Sequence, residues 1–114
     1  MSTAEDAARA FVSGVAEGDA ALVSEAMGYG VSPAEVSRWR EEVLGLEAAI
    51  GEADPLLDEG ESESPDSAIY FLDAIESDNQ RFSVDDNTLN EVVIVVVEDG
   101  GWNVVTADSL DPID

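Results

Sequence analysis

The stretch that decides the fold is EVVIVVVEDGGWNVVT, residues 91–106. Glu91 to Glu98 is an almost unbroken run of β-branched residues, which is typical of a central strand covered on both faces. The Asp99-Gly100-Gly101 segment predicts a tight turn, because glycine reaches positive φ without strain. Trp102 to Thr106 is then the returning strand. The chain is therefore predicted to end in a β-hairpin.

Two weaker strands are predicted before this hairpin. The apolar spacing of residues 67–77 fits either a helix or one face of a strand. Enrichment in Ile, Tyr and Phe, together with the turn-like Ser77-Asp78-Asn79, favours a strand. Arg81 to Val84 predicts a further short strand, ended by Asp85-Asp86-Asn87.

Helices are predicted in the first half of the chain. Ser2 and Glu5 form a capping-box pattern. An apolar stripe at helical spacing follows, formed by Ala4, Ala8, Phe11 and Val15. Asp19 can cap a second, short helix that ends at Gly28-Tyr29-Gly30.

The third helix is predicted to be long. Ser32-Pro33 combines a capping residue with proline at the first helical position, where its missing N–H costs nothing. Apolar residues then recur at helical spacing: Val36, Trp39, Val43, Leu46 and Ile50. This stripe fits a core helix or one side of a dimer seam.

These elements predict an α+β fold, with two to three N-terminal helices packed on a small antiparallel sheet that ends in a β-hairpin. The 114 residues fit a single domain. Its expected parts are a helical half (1–55), an acidic loop (56–66), a strand-rich half (67–107) and a frayed tail (108–114).

The charge balance of the chain indicates the kind of solvent to which its surface is adapted. The chain has 27 Asp and Glu residues against four arginines, no lysine or histidine, and a net charge of -23. Such a surface repels itself in dilute buffer, whereas at ~1 M salt the Debye length falls to ~3 Å and the repulsion almost vanishes. The composition resembles that of cytoplasmic proteins from salt-in halophilic archaea. Binding to nucleic acid is not expected.

The N-terminus lacks the basic and apolar regions of a signal peptide, and the run Val92–Val97 is too short to span a bilayer. We therefore expect a cytoplasmic protein that does not bind membranes. Without cysteine there are no disulfides or thiolate metal sites. Neither the 58–66 loop nor Asp85-Asp86-Asn87 has the EF-hand pattern, so no dedicated metal site and no cofactor are expected.

Both ends of the chain resemble NTF2-like (cystatin-like α+β) domains. AARAFV (7–12) and EGDAAL (17–22) are similar to that family's opening helix pair, and VVVEDGGWNV (95–104) is similar to its C-terminal hairpin. The resemblance implies a cone-shaped sheet that often encloses a ligand pocket, and a homodimer packed through the sheet. Other members serve as subunits or protein-binding modules. Residues 30–90 depart from the pattern, because the third helix is longer and the sheet shorter.

Catalytic candidates are few, because the chain has no His, Cys or Lys. The resemblance implies that a lyase or isomerase of this kind would use a buried carboxylate with a tyrosine donor. Tyr70 and Asp73 are the weak candidates for that pair. The alternative is that Tyr70 packs with its hydroxyl at the surface and that Asp73 is a solvated acid.

Binding candidates are aromatic and cationic. Arg38-Trp39-Arg40 is the one local cluster of positive charge in the sequence. It could clamp an anion or a partner, or its arginines could pair with Glu35 and Glu42 at helical spacing. Trp102 could contact a ligand or cap the edge of the core.

The favoured function is a salt-adapted, non-catalytic module that binds a protein partner or a small ligand and forms a homodimer. Its candidate binding residues are Arg38, Trp39, Arg40, Tyr70 and Trp102. One alternative is the NTF2-like lyase or isomerase. The other is an acidic nucleic-acid mimic that blocks a basic protein, although acids occur in every segment instead of on one face.

Overall fold

Helices precede an antiparallel sheet, as the sequence predicts. The computed structural model describes residues 3–62, 64–87 and 89–110. Within this part, the helices are Ala4–Glu17 (α1), Ala20–Met27 (α2) and Pro33–Trp39 (α3), and the last continues into a π-helical turn, Arg40–Leu44. The strands are Asp54–Glu59 (β1), Ser67–Ser77 (β2), Gln80–Ser83 (β3), Glu91–Glu98 (β4) and Trp102–Leu110 (β5). The α+β class is confirmed.

The sheet is ordered β1-β2-β4-β5, and every pairing in it is antiparallel. The long strand β2 pairs with β4 along residues 67–72 and with β3 along residues 74–77. Strands β1 and β5 therefore form the two edges. The β4–β5 hairpin turns at Gly100 and Gly101, which both have positive φ. The predicted C-terminal hairpin is confirmed.

The helices cover one face of this sheet. Leu72 of β2 and the alternate residues Val92, Ile94 and Val96 of β4 are buried on that side. The intervening valines of β4 are only partly buried. The expectation that β4 is covered on both faces is therefore wrong for the single chain, because the helices pack on one side alone.

The first two helices begin at the expected places, but α1 uses a different cap. The side chain of Thr3 accepts a hydrogen bond from the Asp6 N–H at 3.0 Å, whereas the predicted cap Ser2 lies outside the described residues. Asp19 caps α2, as predicted, by accepting from the Leu22 N–H at 3.2 Å. None of the described helices has the length and apolar character needed to cross a membrane.

A polar stripe on α1 holds the start of the sheet. Arg9 forms an ion pair with Asp54, the first residue of β1. One turn further on, the Ser13 hydroxyl donates to the Ala53 carbonyl at 3.0 Å, and the next turn brings Glu17, which accepts from the Ala53 N–H at 3.1 Å. These contacts, spaced four residues apart on one helix, fix the position of β1 relative to α1.

The third helix is shorter than predicted, since the helical turns end at Leu44 instead of near Ile50. Gly45 has a φ of 74°, a left-handed conformation that ends the helix. The Asn90 side chain donates to a carbonyl of the last turn at 3.2 Å. The Ile50 N–H donates to the Ala16 carbonyl at 2.9 Å, so the segment after Gly45 packs on α1.

The region predicted as an acidic loop begins with a strand. Residues 54–59 pair with β2, and both acids at the end of β1, Asp58 and Glu59, are exposed. Charged residues are tolerated there because one side of an edge strand faces water. The predicted strand over residues 67–77 is confirmed. Of the predicted frayed tail, residues 108–110 belong to β5 and residues 111–114 lie outside the described residues.

Gly14 allows α1 and α2 to approach closely. A Cβ atom at Gly14 would lie 2.6 Å from Val23 Cγ2 and 3.1 Å from the Asp19 carbonyl oxygen. Glycine in a helix normally lowers its stability. Here the missing side chain makes room for the neighbouring helix.

We expect Gly14→Ala to lower the free energy of unfolding by about 1–3 kcal/mol, because overpacking outweighs the gain in helix propensity. Gly30→Ala is the matched control, since a Cβ at Gly30 meets nothing within 4 Å. Urea denaturation of both variants in the same salt measures the difference. Equal stability of the two variants would contradict a tight α1–α2 contact.

Candidate functional site

Tyr70 and Asp73 do not form a common site. Tyr70 is only 6% exposed and belongs to the core cluster, where it pairs across the sheet with Glu59 and Ile94. Asp73 is exposed and lies at a β-bulge of the same strand. An acid–base pair needs the two groups within reach of one substrate atom. The structure therefore does not bring together the pair that the resemblance implied.

Burial raises the pKa of the Tyr70 phenol above its ordinary value of 10.0, and the negative charges of Glu59 and Glu5 raise it further. Both causes disfavour the phenolate, since burial removes water and nearby carboxylates repel a second negative charge. Tyr70 therefore keeps its proton at neutral pH.

The two arginines beside Trp39 have different neighbours. Arg38 Nε lies 3.9 Å from Glu42 Oε2, an exposed pair at helical spacing. Arg40 reaches the end of α1, where its Nη1 lies 3.6 Å from the position of a Cβ on Gly18. Its Nε is buried without a hydrogen-bond partner among the described residues. A guanidinium beside the last carbonyls of α1 is favourable, because that helix end carries partial negative charge.

The two tryptophans also differ in position. The ring of Trp39 contacts the ring of Phe11, with centroids 6.0 Å apart, and it borders a surface groove. Trp102 is partly buried at the start of β5 and packs against the core. Among the sequence-predicted residues, Trp39 is thus the one that the structure brings to this groove.

The groove lies between β5 and the end of α2, its larger cavity also reaches Val97 of β4, and we call it the β5 groove. It consists of two adjoining cavities of about 200 and 410 Å³, which share Met27, Tyr29 and Val105. Tyr29 is 57% exposed and Val105 is 54% exposed. Its Trp39 end is apolar, whereas Asp99 and Asn103 border the other end.

Sequence reasoning missed most of this groove. Val105 does not follow the regular alternation of side chains between the two faces of β5, because the β4–β5 register shifts between Val95 and Val96. Nothing in the sequence predicts this bulge. Asn103 approaches the end of α2 because Gly28 has no side chain: a Cβ there would lie 2.7 Å from Asn103 Oδ1. The aromatic Tyr29 between two glycines was the one available signal.

A second surface lies on the opposite side of the sheet. We call it the outer face. Its apolar residues come from β2 and β4 and are Ile69, Phe71, Val93, Val95 and Val97. Phe71 is 38% exposed. No helix or strand in the described part of the chain covers this face.

Gly60 borders the outer face beside Phe71 and Ile69. Its N–H donates to the Ile69 carbonyl at 2.7 Å, and a Cβ at Gly60 would lie 2.6 Å from Phe71 Cε2. The Phe71 ring therefore packs directly against the backbone that follows β1. Asp58 is the cross-strand neighbour of Phe71 and begins the acidic margin of this surface.

A third cavity, of about 320 Å³, is polar and lies at the β2–β3 turn, where Glu52, Glu76, Asp78 and Arg81 border it. Among the described residues, no three acids converge to hold a metal ion. This cavity supplies no defined chemistry.

The raised pKa of Tyr70 predicts a pH effect. Tyr29→Phe leaves Tyr70 as the only tyrosine, so the ultraviolet absorbance of the phenolate then reports Tyr70 alone. We expect a titration midpoint above 10.0 in the folded protein. Because the folded-state pKa lies above the unfolded one, the contribution of Tyr70 to stability is complete below pH ~10 and is lost as pH rises through the folded-state pKa. A midpoint at or below that of the urea-unfolded chain would contradict the burial of the phenol.

Comparison of the chain with protein-family models, with curated proteins and with solved structures found no significant match. The NTF2-like resemblance and the halophilic origin therefore stay predictions. The described part of the chain offers two surfaces on which a function could rest, the β5 groove and the outer face.

Proposed function

We propose that this chain is a non-catalytic interaction module that works in concentrated salt and forms a homodimer through the outer face of its sheet. The observation that supports this proposal is the incomplete burial of the outer side of β4. Val93, Val95 and Val97 are only partly buried, because no helix or strand of the described chain packs on that face.

The composition of β4 favours a covered outer face. A strand with one face in water usually alternates apolar and polar residues, whereas β4 carries β-branched residues at every position between Glu91 and Glu98. Helices bury one half of these residues. A second copy of the chain would bury the other half.

The dimensions of the sheet suit such an interface. With a strand spacing of ~4.8 Å and a rise of ~3.3 Å per residue, each residue on one face covers ~32 Å², so the apolar centre formed by Ile69, Phe71 and the three valines covers roughly 160 Å². The molecule measures 34 × 30 × 24 Å. The outer face with its polar margin therefore has room for the ~800 Å² per partner of a standard interface. A two-fold dimer uses the same patch on both copies.

The distribution of the acids supports adaptation to salt. Exposed carboxylates occur on the helices (Glu25, Glu41), in the hairpin turns (Asp78, Asp99) and on the strands (Asp73). A nucleic-acid mimic would concentrate them along one face. Two copies that each carry a charge of -23 repel each other unless salt screens the repulsion, so dimerisation and folding should respond to salt together.

We expect the melting temperature to rise with KCl between about 0.1 and 2 M, because the Debye length falls from ~10 Å to less than ~3 Å over that range. Circular dichroism at low protein concentration, where dimerisation contributes little, measures the effect. A melting temperature that does not change with salt would reject the salt adaptation.

We expect Phe71→Glu to weaken self-association in about 2 M KCl by at least about tenfold, because it removes the largest apolar side chain of the outer face and places a charge there. Analytical ultracentrifugation measures the dissociation constant. Phe71 is partly exposed in the single chain, so the variant should fold, and circular dichroism verifies this.

Tyr29→Glu is the matched control for this variant. It also exchanges an exposed aromatic ring for a carboxylate, but it does so in the β5 groove. We expect its self-association to equal that of the unaltered chain. A monomeric unaltered chain in molar salt, or equal weakening by both variants, would overturn the proposed interface.

A further inference from the structure

The β5 groove is a second, concave surface, which shares Val97 with the outer face. Two of the three large apolar side chains that are exposed among the described residues, Tyr29 and Val105, line it, and the third, Phe71, lies on the outer face. Exposed apolar groups concentrated in a concave surface are typical of a binding site. We propose that the β5 groove binds a small organic cation with an apolar body.

The apolar end of the groove suits the body of such a ligand. Phe11 and Trp39 form its floor with their rings in contact, and Met27 adds a flexible thioether side chain. Methionine adapts its shape to different apolar ligands. The volumes of the two cavities, about 200 and 410 Å³, suit a small molecule.

The polar end of the groove suits a positive charge for three independent reasons. The first is the carboxylate of Asp99, which borders the cavity. The second is the C-terminus of α2 at Met27, whose last carbonyls carry partial negative charge. The third is the exposed ring of Tyr29, because the face of an aromatic ring attracts cations.

The residues around the groove disfavour an anionic ligand. None of the described residues that line the two cavities is an arginine, and the chain has no lysine. An anionic ligand would meet Asp99 within the groove and the charge of -23 around it. An organic cation has the complementary charge. In molar salt the attraction to the exposed Asp99 is weakened by screening, whereas burial of the ligand's apolar body in the groove is not screened.

The geometry of the polar end is fixed before a ligand binds. Gly28 ends α2 with a φ of 79°, and the side chain of Asn103 lies directly against it. The Asn103 amide also donates to the Gly101 carbonyl at 3.3 Å, which connects the end of α2 to the turn that carries Asp99. Such preorganisation lowers the entropic cost of binding.

The test uses the full chain in about 2 M KCl and three probes of the same chain length: hexyltrimethylammonium, 1-hexanol and hexanoate. Isothermal titration calorimetry compares their affinities. We expect the cation to bind at least about tenfold more tightly than hexanoate, with hexanol in between. Trp102→Phe leaves Trp39 as the only tryptophan, so a fluorescence change on binding places the probe at the apolar end.

Four variants locate the site. Tyr29→Ala should weaken binding of the cation at least about fivefold, whereas Tyr29→Phe, which retains the ring, should bind it as before. Asp99→Asn should weaken binding of the cation about threefold and leave hexanol unaffected. Asp78→Asn is the matched control, because Asp78 is also an exposed acid in a hairpin turn but lies outside the groove.

Several results would overturn the proposal. Hexanoate could bind as tightly as the cation, none of the probes could bind, or Tyr29→Ala could leave the affinity unchanged. Equal effects of Asp78→Asn and Asp99→Asn would show a diffuse ion atmosphere instead of a site. A change of oligomeric state in Tyr29→Ala, measured by ultracentrifugation, would make the groove an interface between copies.

Discussion

The rest of the structure depends on the contact between α1 and the sheet. One side of α1 contributes Ala8, Phe11, Val12 and Val15 to the core, where they meet the inner residues of the sheet. The adjacent polar stripe binds the segment that begins β1. A single helix thus supplies both the burial that drives folding and the hydrogen bonds that place the first strand. The small side chains of α1 make this possible, because Gly14 lets α2 pack at close range on another side of the helix.

The same contact leaves the molecule with two unlike surfaces. Because the described helices pack on one side of the sheet, the valines of the outer face are only partly buried and Phe71 is 38% exposed. At the free edge of β5, a bulge places Val105 beside Tyr29 and creates a groove with one apolar and one acidic end. The first surface is flat and suits a second copy of the chain. The second is concave and suits a small ligand, and the two surfaces meet at Val97.

Charge acts on both surfaces through the solvent. A chain with 27 acidic residues and four arginines can form few ion pairs, and the two between described residues, Arg9–Asp54 and Arg38–Glu42, involve side chains that are largely exposed. Exposed pairs contribute little to stability. The acids therefore affect folding mainly through their mutual repulsion, which salt reduces. Apolar contacts are not screened, and for this reason the proposed interface is expected to depend on the outer face.

The sequence by itself determined the class of the fold, because strong local signals decide it: the β-branched run of β4, the glycine turn after it, and the caps at Asp19 and Ser32. It also limited the chemistry by omitting His, Cys and Lys. Only the tertiary structure decided where α3 ends, since the apolar spacing continues to Ile50 while Gly45 and the distant Asn90 stop the helix. Only the tertiary structure showed that Tyr70 is buried while Asp73 is exposed, and that Tyr29 and Val105 line one groove. Burial and bulges arise from contacts between residues far apart in the chain, and local periodicity carries no record of them.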